Sequence, residues 1–268
     1  MEINKLYKIR KSYFMYFPPI DMPSNQNTLY PKNHLKFIKG MKKVLTRYGF
    51  EDICKKYLPE SFNKSFQDSD INELEKRIYL SIEKSFKNNF KNQDLVEEIF
   101  HAIQLWGGVH GRWIYQTKSF KNNFNINLYI SFCKFYFMQN QLISDHVQNI
   151  ENLCKMANMN IPFATRHAKF WASGNTKKNH SLIPCVYDQG VREMITMGFG
   201  GPNTKHKKNL HELNALWLIQ KYLCNKYSID SNKFDLLIRL HSSDFRKIDY
   251  SKFLKFEVTN TGNIYQHD

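Results

Sequence analysis

Residues 161 to 201 read IPFATRHAKFWASGNTKKNHSLIPCVYDQGVREMITMGFGG, and the reading of this stretch decides the fold. A turn over Asn158 to Pro162 leads into a short helix that carries Arg166, His167 and Lys169. A polar loop follows, and an apolar approach, Leu182 to Tyr187, then ends at Asp188. The next helix opens on that carboxylate and holds Val191, Met194 and Ile195 on one face. A basic helix is thus followed by a carboxylate at a helix N-terminus, where the positive end of the helix dipole favours the ionised form.

The flanks extend this helical pattern. Upstream of the turn, Ser144 or Asp145 caps a helix with Val147, Ile150, Cys154 and Ala157 on one face. Leu128 to Met138 (LYISFCKFYFM) fits helix or strand by pattern, and its helical neighbours favour helix. From Asp94, a strongly apolar helix runs through Leu95, Val96, Ile99, Phe100, Ile103 and Leu105 to Trp106-Gly107-Gly108. Those glycines and Gly111 mark a helix C-cap or a place where backbone is closely approached. Asp70 with Glu73 has the spacing of an N-terminal cap, and Leu74, Ile78 and Ile82 continue that helix to about Phe86. Residues 34 to 49 form a further helix through Leu35, Ile38, Met41 (or the stem of Lys42) and Leu45, stopped by Gly49. Its Lys36, Lys39, Lys42, Lys43 and Arg47 make it strongly basic, which suits a solvated face or a phosphate contact. Before it, residues 1 to 34 read as an irregular or β segment with an aromatic run, Tyr13 to Phe17, followed by prolines.

Downstream, Gly198 to Asn209 (GFGGPNTKHKKN) is a basic glycine-rich loop in which Lys205, Lys207 and Lys208 could hold phosphate, although no Walker spacing is present. Asn209 caps a long helix with Leu210, Leu213, Trp217, Leu218 and Leu223. Asp230-Ser231 opens a last helix through Phe234, Leu237, Ile238 and His241, and the tail holds a short strand, Phe253 to Val258, before fraying. The expected architecture is mainly α, an N-terminal segment 1–34 followed by a helical domain 35–268 with two lobes around a cleft.

Composition narrows the partners. The formal charge is +15 over 268 residues. Such a surface attracts polyanions, and counterion release from phosphates dominates non-specific nucleic-acid affinity. Lys and Asn are abundant throughout, so part of this charge reflects overall composition. The five cysteines are widely spaced with no C-x-x-C pair, which argues against structural zinc, an iron–sulfur cluster or a disulfide framework. No apolar run reaches membrane-spanning length and no secretory signal is evident, so the sequence reads as cytoplasmic, with no membrane partner and no cofactor.

On these residues the stretch resembles the helix-hairpin-helix DNA glycosylases, in their 8-oxoguanine glycosylase branch. The resemblance covers about a third of the chain, roughly Ile99 to Phe199. Pro162 matches the family's hairpin, while Phe163, Ala164 and Thr165 stand where glycines are expected. Thr165-Arg166-His167-Ala168 matches the opening of the family's catalytic helix, with Arg166 at the lysine position. Counted back from the aspartate, Lys169 falls 19 residues before Asp188, close to the family spacing. Pro184 to Asp188 matches the family's Pro-Val-Asp approach with two extra residues, and Asp188 is the firmest correspondence.

The resemblance implies base flipping and N-glycosidic cleavage of an oxidised or phage-specific purine in DNA. Asp188 would stabilise the cationic sugar, and Lys169 is the candidate nucleophile for lyase chemistry. Arg166 cannot attack, because a guanidinium keeps its proton at working pH. Asn158, Asn160, Thr165 and His167 would then lie against nucleic acid with the basic loop. The alternative is an inactive glycosylase-like fold that binds nucleic acid or a protein partner, similar to accessory proteins of bacterial anti-phage operons.

Overall fold

The computed structural model describes residues 7–10, 34–63, 68–116, 124–138, 142–175, 183–187, 191, 210–227, 230–234, 255–258 and 264–267. These are mainly helical. The chain divides into two compact units: a helical unit, 25–141 and 148–180, and a terminal unit, 1–24, 142–147 and 181–268.

The helical unit opens with three helices that pack around a fourth. Helix α1 (His34–Arg47) buries His34, Ile38, Met41 and Leu45, one stripe at helical spacing. It stops where expected: Gly49 takes φ +88° and the Phe50 N–H returns to the Leu45 carbonyl at 2.9 Å, a Schellman closure. Helix α2 (Glu51–Tyr57) and a 3₁₀ turn, Glu60–Asn63, follow. Helix α3 (Asp68–Lys87) starts ahead of the expected cap. Asp70 lies within its first turn, buried, and accepts a 2.6 Å hydrogen bond from Ser61, while Glu73 pairs with Arg77 at 3.0 Å. A second Schellman closure ends this helix, with Asn89 at φ +48° and the Phe90 N–H bonded to the Ser85 carbonyl at 3.0 Å.

Helix α4 (Gln93–Gly107) is the core of the unit. Its cap is Asn92, whose side chain accepts from the Leu95 N–H at 3.0 Å. Every residue from Ile99 to Gly107 is buried, because α1, α2 and α3 all pack against it. This buried run holds His101 and Gln104 as its polar residues, and burial on all sides rather than amphipathicity holds this part of the helix. A one-turn helix α5 (Trp113–Gln116) and helix α6 (Ile126–Phe135) complete this side. The ambiguous 128–138 run is helical, since Asn125 caps it and its buried residues, Tyr129, Ile130, Phe132 and Cys133, repeat at helical spacing.

Helix α7 (Ile143–Met156) spans the two units in sequence, with 143–147 in the terminal one. Asp145, rather than Ser144, bonds its start, accepting from the Leu142 N–H at 3.0 Å. Helix α8 (Ile161–Ser173) follows after four residues.

In the terminal unit three strands, β1 (Tyr7–Arg10), β2 (Lys255–Val258) and β3 (Ile264–His267), form an antiparallel sheet in that order. Tyr7 pairs with Val258 and Arg10 with Lys255, while Lys255 pairs with His267 and Val258 with Ile264. The expected strand near Phe253 to Val258 is present, and instead of fraying the tail returns as β3. Helix α9 (Leu210–Tyr227) buries Leu213, Leu216, Trp217, Gln220 and Cys224. Asp230 caps a 3₁₀ turn, Ser231–Lys233, ahead of buried Phe234. The run Tyr13 to Phe17, the side chains of Leu218 and Leu223, and the expected helix beyond Phe234 lie outside the described residues.

Candidate functional site

A four-residue turn, 157–160, joins α7 to α8. Asn158 adopts φ +46°, and the Met159 N–H bonds the Cys154 carbonyl at 3.1 Å. Asn160 is extended, and its side chain accepts from the Phe163 N–H at 3.3 Å, capping α8 with Pro162 in the first turn. The turn therefore closes by helix capping, with Asn158 in the left-handed region and Asn160 as the cap. Both asparagines are exposed.

Past this turn the proposed site residues go inward. Thr165 is fully buried, and its hydroxyl donates back to the Ile161 carbonyl at 3.0 Å. His167 is fully buried with both ring nitrogens engaged: Nδ1 lies 2.6 Å from the Tyr129 hydroxyl and Nε2 lies 2.8 Å from the Gln104 amide nitrogen. The Trp171 indole donates to the same Tyr129 oxygen at 3.0 Å. Burial, then His101 and Arg166, holds the imidazole well below its ordinary pKa, so it is neutral. Neither Thr165 nor His167 presents surface to a nucleic acid in this fold. Each looked polar and available in sequence, but their positions fall on the core face of α8.

Arg166 is also committed. Its Nη1 donates to the Gly107 carbonyl at 2.9 Å, and the guanidinium lies 4.2 Å from the centre of the Phe163 ring. The charge thus sits at the C-terminus of α4, where the dipole welcomes a cation. The glycine turn exists for this approach: a Cβ at Gly107 would stand 2.9 Å from Arg166 Nη1, and one at Gly111 would stand 2.4 Å from the Phe163 ring. At Gly108, with φ +81°, a Cβ would meet Phe37 at 2.6 Å. Phe163 fills the space these glycines leave. Lys169 is half-buried on the same helix. Asp188, Lys205, Lys207 and Lys208 lie outside the described residues.

The approach to Asp188 is described as far as Tyr187. Gln220, wholly buried on α9, takes the place of a neighbouring strand: its oxygen accepts from the Cys185 N–H at 3.0 Å and its nitrogen donates to the Ile183 carbonyl at 2.7 Å. Ser231 donates to the Ile183 carbonyl and accepts from its N–H, both at 3.0 Å, and the Trp217 indole donates to the Cys185 carbonyl at 3.3 Å. This fixes the segment that leads into the carboxylate. No sequence pattern singled out Gln220, because one polar residue on an apolar helix face carries no label for its partner.

Among the described residues, the surface most suited to a polyanion is on α1. Lys39, Lys42, Lys43, Thr46 and Arg47, with Phe62 from the 3₁₀ turn, line a groove of about 570 Å³. Lys36, Lys39, Lys43 and Arg47 are exposed, and α1 contains no acidic residue. Among the described residues, none of these four cations has a salt-bridge partner. A second cleft, beside the α3–α4 connection, carries both signs of charge: Lys87 is tied to Glu83 at 2.8 Å and Asp94 stands in its wall. Its field for anions is therefore weaker.

Among the described residues no group of three or more His, Cys, Asp or Glu side chains could hold a metal ion. All five cysteines are buried, and burial raises the Cys54 thiol to about 11 and Cys224 to about 12, which leaves them protonated and unreactive. No helix among the described residues is long and apolar enough to cross a membrane. No protein-family profile matches the chain, and no curated protein or solved structure matches it significantly.

Proposed function

We propose that this protein is a nucleic-acid-binding module with a glycosylase-like helical fold, gripping DNA through the α1 groove. The observation that carries this reading is the run of exposed cations on α1 without acidic partners among the described residues. Each phosphate bound there would release condensed counterions, a gain that grows as salt falls.

Base excision remains the second reading, favoured by the hydrogen bonds that pin Ile183 to Cys185 ahead of Asp188. A fixed backbone is what a carboxylate aimed at a sugar requires. The test uses labelled duplexes carrying 8-oxoguanine, uracil, hypoxanthine or no lesion. Alkali-labile sites made by the wild type and lost in Asp188→Asn would establish excision. Binding that survives Asp188→Asn, with no cleavage of any substrate, supports the binding module. Absence of binding at low salt removes that reading.

A further inference from the structure

We propose that the α1 groove takes the sugar–phosphate backbone of duplex DNA and does not read its bases; this rests on the nucleic-acid reading above. The geometry is that of a straight rail. Lys36, Lys39, Lys43 and Arg47 follow one another at steps of three, four and four residues, on the side of α1 opposite its buried stripe. At 1.5 Å rise per residue the rail is ~16 Å long. The helix is pinned to the core at Ile38, Met41 and Leu45, each wholly buried, so the cations stand on a rigid support.

Proteins that hold single strands combine cations with exposed aromatic rings on which bases stack. Among the described residues, the only aromatic one lining this groove is Phe62, which is 5% exposed and has the Lys42 ammonium 5.0 Å from its ring centre. It offers no stacking face. The widely exposed ring of Trp113 is not part of the lining, and the Arg112 guanidinium lies 5.3 Å from its centre. Among the described residues the groove also has no Asn, Gln, Asp or Glu in its lining, the side chains that distinguish adenine and cytosine edges. What the described lining offers is cations, which of the base edges can meet only guanine but can meet every phosphate, and charge favours the duplex. A double helix carries one phosphate per ~1.7 Å of axis, twice the density of one strand, and releases more counterion per contact. Its phosphates are also already ordered, whereas a single strand must lose conformational freedom to follow a rail.

The experiment measures fluorescence anisotropy of the full chain with a labelled 25-base-pair DNA, its two separated strands, and a duplex of unrelated sequence, over a salt series. The expected result is duplex binding at least ten-fold tighter than either strand and within about three-fold between sequences. Lys43→Gln with Arg47→Gln should lower the slope of log Kd against log salt by about two. The thermal midpoint of the variant, unchanged or higher, shows that it folds. Single-strand binding equal to or tighter than duplex, or strong sequence preference, would overturn the duplex inference while binding itself stands. A salt slope that the double variant leaves unchanged would overturn the assignment to this groove. No binding to any probe would remove the nucleic-acid reading and this inference together.

Discussion

Two basic helices of the same unit use their charge in opposite ways. On α8, Arg166 is turned inward onto the end of α4 and His167 is neutral in the core. On α1, Lys36, Lys39, Lys43 and Arg47 point to solvent from a helix with no carboxylate. The first set stabilises the fold at the cost of availability; the second is available and makes the fold less stable. A sequence displays both as basic helices, and only the identity of the neighbours separates them.

The contrast breaks most severely if α8 is displaced from α4. A Cβ at Gly111 would lie 2.4 Å from the Phe163 ring and 2.6 Å from the Gln104 side-chain oxygen, both fixed inside the core. Gly111→Ala should therefore lower unfolding free energy by about 2–3 kcal/mol in urea titration, within the range for overpacked sites. An unchanged urea midpoint would mean that α8 is not seated against the turn in this way.

The next effect is pH dependence. His101 and His167 are both fully buried with depressed pKa values, burial being the main cause in each, and for His101 it outweighs the opposing pull of Glu97. The unfolded chain then binds more protons than the folded one once the pH falls below the ordinary histidine value. Stability contributed by keeping these rings neutral is complete above about pH 6.5–7 and is lost as the pH drops below it, by up to ~1.4 kcal/mol per pH unit for each ring. Urea midpoints at pH 7.5, 6.5 and 5.5 should fall in that order, and His167→Gln should flatten the lower part of the series. Midpoints that rise toward acid would contradict neutral histidines.

Exchanging single cations sharpens the comparison directly. Arg166→Gln removes a helix-terminal cation and a hydrogen bond to a carbonyl, which should cost about 1–2 kcal/mol of stability. DNA affinity of the folded variant should stay within about two-fold, since this guanidinium makes no surface contact in the proposed mode. Lys43→Gln should do the reverse, weakening DNA binding several-fold with little loss of stability. Equal effects on affinity would erase the distinction between the two helices.

The sequence made the helices legible wherever the signal was local. Gly49 marks the end of α1, the Asn88–Asn92 break separates α3 from α4, and the apolar run from Leu95 to Trp106 is the core helix. Signals that depend on distant partners were not legible. The pairing of Tyr7–Arg10 with Lys255–Val258 joins opposite ends of the chain, and no periodicity records such a register. Asp70 has the spacing of a cap, but Ser61, nine residues earlier, decides its use. The same limit applies at the candidate site. Asn158 has the turn geometry its residue type allows, whereas Thr165 and His167 disclose their burial only through Ile161, Tyr129 and Gln104. The charge on α1 was visible, and its exposure without acidic partners among the described residues came from the fold.

That exposure has a cost, and the smallest predicted effect measures it. Along α1 the pairs Lys36–Lys39, Lys39–Lys42, Lys39–Lys43 and Lys43–Arg47 are three or four residues apart, where like charges repel. Each such pair destabilises a helix by ~0.2–0.5 kcal/mol. Lys36 also stands near the N-terminus of α1, where the dipole disfavours a cation and the first turn has no acid to offset it. Lys39→Gln with Lys43→Gln removes all four repulsions and should raise the thermal midpoint by a few degrees at low salt. The gain should shrink as salt screens the charges, and saturating duplex DNA should reverse the order by stabilising the wild type more than the variant. A variant that is less stable at every salt concentration would show that these lysines support the fold, and the surface assigned to DNA would then have to be sought elsewhere.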